Sequence, residues 1–136
     1  LKIIKDGWKI LYDPNVVVYH HRRSLFLPYF KQIANVGVHR GFFAKKYPET
    51  SRSMTYFWPT ILSIGFTFGL IGSFFSQVVL ILFSFMVLFF YTLAVLSVIK
   101  KSDLLKSLFA GFGIILTHLI YGTFFIKGLL TDKLKR

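Results

Sequence analysis

Two long stretches of this chain carry no charged side chain, and they set its class. Residues 53–99 hold none, and neither do residues 107–126. Crossing the hydrocarbon core of a bilayer takes roughly 20 apolar residues in helical form. The first stretch is too long for one crossing and suits two, divided where Gly72, Ser73, Ser76 and Gln77 gather small and polar side chains. The pattern predicts spans over residues 56–75 and 78–99. Helices are required, because hydrocarbon offers no partner to an unpaired backbone group. Tyr56, Trp58 and Tyr91 are aromatic residues of the kind that settle at the interfaces. Residues 107–126 give a third span by length, although three Gly, two Thr and His118 dilute its apolar character.

Ahead of the spans the pattern changes period. Residues 8–12 and 16–20 are short β-branched and aromatic runs on either side of Asp13-Pro14-Asn15, a turn-forming cluster. They read as two strands. Two strands alone are marginal in water, so the rest of a sheet is expected elsewhere, and the first residue, Leu1 rather than Met, agrees with a piece of something longer. Ser24 then suits the N-cap of a helix running to about Lys46, with Pro28 in its first turn. Phe26, Phe30, Ile33, Gly37 and Ala44 fall near one face; Lys31, Asn35, His39 and Lys46 fall near the other. Such a helix rests naturally in the headgroup plane, and Pro48 ends it. The expected organisation is a strand-bearing edge at 1–24, an amphipathic interfacial helix and linker at 25–52, and a membrane domain at 53–136. The fold class is a mainly α membrane protein.

Composition narrows the choice of partners. Of 136 residues, 54% are hydrophobic and only 16% charged, against roughly 25% charged in soluble domains, which excludes an ordinary soluble domain. The net charge is nevertheless +12, with most of the excess in residues 1–52. Basic residues beside spans point to anionic headgroups and to topology. Nucleic acid is set aside on that ground. By the positive-inside rule the N-terminal region and the loop bearing Lys100, Lys101 and Lys106 are cytoplasmic, with the turn near Ser76 outside. The chain is then an integral protein of the cell membrane. A third full crossing would carry Lys127, Lys133, Lys135 and Arg136 outward; a tilted or re-entrant segment would keep them inside. The absence of Cys excludes disulfides, thiolate metal sites and a Cys nucleophile.

Three clusters could carry chemistry. In Tyr19-His20-His21-Arg22-Arg23-Ser24, imidazoles sit beside guanidinium forks able to grip a diphosphate, and the same cluster would suit lipid phosphates. In the cluster of Lys31, Gln32, Asn35, Gly37, His39, Arg40 and Gly41, the side chains of Gln32, Asn35 and Arg40 could bind a polar head, with the Gly residues allowing close approach; a solvated helix face is the plainer reading. His118 and Tyr121 lie inside the last apolar stretch, where an ionisable group is a functional hypothesis by default. Only five carboxylates are present and no two form a close pair. No phosphate loop, zinc spacing or nucleophile elbow occurs, so the chain holds no complete catalytic set.

Gly7-Trp8-Lys9-Ile10-Leu11-Tyr12-Asp13-Pro14, Val16-Val17-Val18-Tyr19-His20, Arg23-Ser24, Phe30-Lys31-Gln32, Gly37 and Arg40, in this order, resemble the C-terminal part of family 2 glycosyltransferases of exopolysaccharide or lipid-linked glycan synthesis. The ending His118-Leu119, Tyr121-Gly122 and Gly128-Leu129-Leu130 is similar to the last helix of such proteins. The resemblance implies that residues 1–24 are the remnant of a GT-A α/β catalytic domain, with the nucleotide-sugar pocket, metal motif and catalytic base N-terminal to Leu1. It implies a divalent metal, Mg or Mn, in the full-length enzyme. His20 would help hold that metal or the donor diphosphate. Arg22 and Arg23 would neutralise the diphosphate, while Gln32, Asn35 and Arg40 would stand on the acceptor side. No catalytic residue lies in this chain, which should be inactive alone. The alternative is a small cationic membrane protein acting as a non-catalytic subunit or assembly factor.

Overall fold

The computed structural model describes residues 6–9, 11–20, 24 and 26–134. Among the described residues five helices follow one another: α1 over Leu27–Lys46, α2 over Pro48–Ser51, α3 over Met54–Ser73, α4 over Gln77–Ile99 and α5 over Leu104–Leu130. Helices α3, α4 and α5 are each long and apolar enough to cross a membrane. The three spans read from the sequence are therefore present as helices. The third is longer than its charge-free stretch, because Lys106 and Lys127 lie inside the helix near its ends.

The two strands do not form: among the described residues there is no strand. Residues 11–20 are exposed throughout, with Leu11 at 91% and Tyr19 at 92%. A ladder needs a packed face as well as a pattern, and here nothing covers either side. The turn between them is real. Asn15 donates its backbone N–H to Asp13 Oδ1 at 2.9 Å, and Val16 N–H reaches the Asp13 carbonyl at 3.3 Å. The GT-A remnant expected at residues 1–24 thus has no strand among the described residues.

Helix α1 begins two residues later than a Ser24 cap would place it. Phe26 is its N-cap, with φ of 67°, and Ser24 is not part of the helix. Proline explains the shift. A helix capped by Ser24 would put Pro28 at its fourth position, where the first N–H of the helical ladder is needed. Starting at Leu27 moves the missing donor into the first turn, where donors are unpaired anyway. Phe30 N–H then makes the first ladder bond, 2.8 Å from the Phe26 carbonyl.

Helix α5 is the hub, and α1, α3 and α4 all pack on it. Along α1 the partners climb together: Gly37 meets Tyr121, Phe124 and Phe125, while Gly41 meets Phe125, Gly128 and Leu129. Beyond them Lys45 Nζ donates to the Thr131 carbonyl at 2.6 Å and pairs with Asp132 Oδ1 at 3.0 Å. The two helices are therefore parallel. Glycines four apart let helix backbones approach closely, and a Cβ at Gly37 would stand 2.7 Å from the Tyr121 carbonyl oxygen. Gly37 and Gly41 thus admit a helix, which corrects the expectation that they admit a ligand.

The remaining pairs run in opposite senses. Gly72 lies against Val79 and Gly69 against Phe83 between α3 and α4. Ser102 bonds Ser107 at 2.8 Å and Gly111 lies against Val95 between α4 and α5. Phe57 meets Phe125 edge-on at 5.0 Å, and Ser63 Oγ donates to the Leu119 carbonyl at 3.1 Å, between α3 and α5. Three axes cannot all be mutually antiparallel, so they cross at wide angles and leave a wedge of space between α3, α4 and α5.

Asp103 caps α5. Its Oδ1 accepts the Lys106 N–H at 2.8 Å while Oδ2 pairs with Lys106 Nζ at 2.8 Å. The Lys106 side chain, then its backbone N–H, hold the carboxyl below its ordinary value of 3.8. A lowered folded value means that the cap contributes fully above the ordinary carboxylate range and is lost as pH falls through the folded value. We expect Asp103→Ala to weaken thermal stability in detergent at pH 7, and the gap to the parent protein to narrow progressively as the pH is taken below the ordinary carboxylate range. A stability gap that does not narrow on acidification would disprove the cap's role.

Candidate functional site

The polar groups of α1 share the face turned away from α5. Gln32, Asn35, Val36, His39, Arg40 and Phe43 recur at helical spacing and line one open groove of about 590 Å³. The opposite face buries Gly37, Gly41 and Ala44. The split arises because small residues occupy the α5 side, leaving the long polar side chains the other one. A face carrying Gln32, Asn35, His39 and Arg40 is costly to turn toward lipid tails. It meets headgroups, water or another protein surface.

Two members of the groove are held in place. His39 Nδ1 lies 2.7 Å from the Asn35 carbonyl. A carbonyl only accepts, so Nδ1 carries the proton, and Nε2 of a neutral ring is left as an acceptor. The Arg40 guanidinium sits 4.6 Å from the centroid of the Tyr56 ring, which orients its fork by a cation–π contact between α1 and α3. Arg40 can therefore meet a phosphate with two parallel bonds. The amides of Gln32 and Asn35 can donate to and accept from hydroxyl groups. No carboxylate lines the groove. Such a set of side chains is chemically able to bind a polar, anionic or polyhydroxylated group.

Of the residues read from the sequence, Gln32, Asn35 and Arg40 come together. His20 stands apart on the exposed segment and makes no hydrogen bond or ion pair among the described residues. Arg22 and Arg23, assigned to the diphosphate, lie outside the described residues. No three His, Asp or Glu side chains gather into a metal site among the described residues. These residues do not form a ligand set for the divalent ion that the resemblance implies. His118 and Tyr121 separate: His118 faces the wedge between α3, α4 and α5, while Tyr121 stacks on Phe125 at 5.9 Å. His39 adds a groove member that was not assigned to the acceptor side, although its spacing from Asn35 placed it there. Tyr56 was invisible as a partner of Arg40, since nothing in the intervening sequence signals the return of the chain.

Comparison with protein-family models, curated proteins and solved structures finds no match for this chain.

Proposed function

We propose that this chain is the acceptor-side and membrane-anchoring portion of a membrane-bound glycosyltransferase. The full-length enzyme moves a sugar from a nucleotide-sugar donor to a lipid-linked or polysaccharide acceptor. The observation that carries the reading is the groove of Gln32, Asn35, His39 and Arg40 on a helix seamed along an apolar, span-length helix. That arrangement suits an acceptor whose anchor is in the bilayer and whose head is polar. Arg40 takes the anionic part of the head, and Gln32 and Asn35 take its hydroxyls. Sugar donor, metal and catalytic base belong to the domain that the resemblance puts ahead of Leu1, and the polar face of α1 is the surface it covers. The ordered match from Gly7 to Arg40 supports the same reading.

The test uses membranes carrying the natural full-length polypeptide, incubated with a panel of radiolabelled nucleotide sugars. Arg40→Ala should lower transfer roughly 10- to 100-fold, the worth of a hydrogen-bonded charge. The loss should fall on the KM for acceptor and leave that for donor unchanged, with Arg40→Lys recovering part of it. Membranes that incorporate no sugar from any donor would overturn the proposal and leave the non-catalytic subunit reading.

A further inference from the structure

The wedge between α3, α4 and α5 forms a groove of about 680 Å³, lined by Trp58, Leu62, Met86, Phe90 and Ile115 among others. The volume lies within the range of small-molecule sites. No Lys, Arg, Asp or Glu contributes to the lining. Its polar side-chain groups are the Thr55 and Ser97 hydroxyls, the Trp58 indole N–H and the His118 imidazole. Ser97 is already occupied, its Oγ donating to the Ala94 carbonyl at 2.7 Å. The His118 ring makes no hydrogen bond among the described residues, although it stands near the middle of α5. Pro59, also in the lining, has no N–H to give the Thr55 carbonyl one turn earlier. An imidazole without a partner at the centre of an apolar helix is costly unless something polar reaches it.

We propose that this groove binds a neutral membrane lipid with a hydroxyl head, a long-chain alcohol, with its hydroxyl bonded to His118. The apolar walls take the chain. An imidazole can both donate to and accept from a hydroxyl, so one small head satisfies it. An anionic headgroup would find no counter-charge in the lining, which disfavours anionic phospholipids. The site is distinct from the groove on α1 and does not depend on the glycosyltransferase reading.

Gly65 supplies a clean probe, because a Cβ there meets nothing within 4 Å. Gly65→Leu therefore projects a side chain into the groove from a position where its Cβ meets no helix contact. The experiment uses the full chain in phosphatidylcholine nanodiscs with a photoactivatable, alkyne-tagged long-chain alcohol. Its methyl ether and a matching phosphatidylglycerol probe run in parallel. Variants are compared after matching their helicity and elution to the parent protein. We expect saturable labelling of the 114–118 segment, roughly fivefold stronger for the alcohol than for the ether, the worth of one net hydrogen bond. His118→Leu should bring the alcohol down to the level of the ether, His118→Gln should retain the preference, and Gly65→Leu should abolish labelling by both. Equal labelling by alcohol and ether, unchanged labelling of Gly65→Leu, or stronger labelling by the anionic probe would each overturn the proposal.

Discussion

Gly41→Leu will separate α1 from α5. A Cβ at Gly41 already collides with the Phe125 carbonyl and lies 2.9 Å from the Leu129 nitrogen and 3.0 Å from the Gly128 Cα. All three are backbone atoms, which cannot swing aside as a side-chain tip can. Gly128 faces back at the Val38 carbonyl and at Gly41 itself, so no relief is available from the other helix. Overpacking of this kind costs about 1–3 kcal/mol for small additions, and a leucine exceeds what the seam can absorb. Once α1 leaves, Lys31 and Lys46 become cleavable by trypsin, and the unfolding midpoint in detergent falls. Gly41→Ala should give a milder form of the same defect. Gly113→Ala, with nothing within 4 Å of its Cβ, should be neutral or slightly stabilising, since Ala exceeds Gly in helix propensity. A Gly41→Leu protein with native trypsin resistance and native midpoint would show that the two helices are not in contact.

Gly122→Val will break the crossing of α3 over α5. A Cβ there runs into the Pro59 carbonyl oxygen and Ser63 Oγ, and stands 2.7 Å from the Pro59 carbonyl carbon. The crossing is tight because it is polar. Ser63 Oγ is 4% exposed as a residue and has one proton to share between the Pro59 carbonyl at 2.9 Å and the Leu119 carbonyl at 3.1 Å. Interhelical bonds of this kind average about 0.6 kcal/mol in membrane proteins, so Ser63→Ala should be mild. Gly122→Val forces the helices apart and should cost about 3 kcal/mol, the upper part of the overpacking range. Because the two residues share one contact, the double variant should be less damaged than the sum of its parts. Denaturant or thermal titration in detergent, read by far-UV circular dichroism, measures all three. Additive losses would mean that Ser63 and Gly122 do not meet.

The spans were legible because absence of charge is a one-dimensional signal: α3 and α4 lie within two residues of the stretches expected for them. The polar face of α1 was legible for a related reason. Gln32, Asn35 and Arg40 share a helix, and helical spacing alone decides which side chains are neighbours. Partners across the fold were not. Nothing in the local pattern says that α1 packs parallel to α5, because Lys45 and Thr131 are 86 positions apart. Glycine marks close approach without naming what approaches, which is why Gly37 and Gly41 were given to a ligand. The strands failed differently. Residues 8–12 and 16–20 have the residue types of strands, but a strand is completed by its neighbour, and no neighbour is in the described chain. The Ser24 cap failed because its side chain was weighed ahead of Pro28, whose steric demand is the stronger.

The parallel seam also dictates an order of assembly. Helix α1 is made before the α3–α4 hairpin, yet the helix that covers its glycine face is the last one among the described residues. At ordinary rates of synthesis the interval between Gly41 and Gly128 is on the order of ten seconds. During that time the α3–α4 hairpin can enter the bilayer on its own, since its contacts are local in sequence. Helix α1 has to wait with its glycine face uncovered until α5 is made. The seam then closes from a waiting α1 onto an arriving α5. In such a sequence of events the glycine face of α1 is the last helix face of the described fold to find its cover.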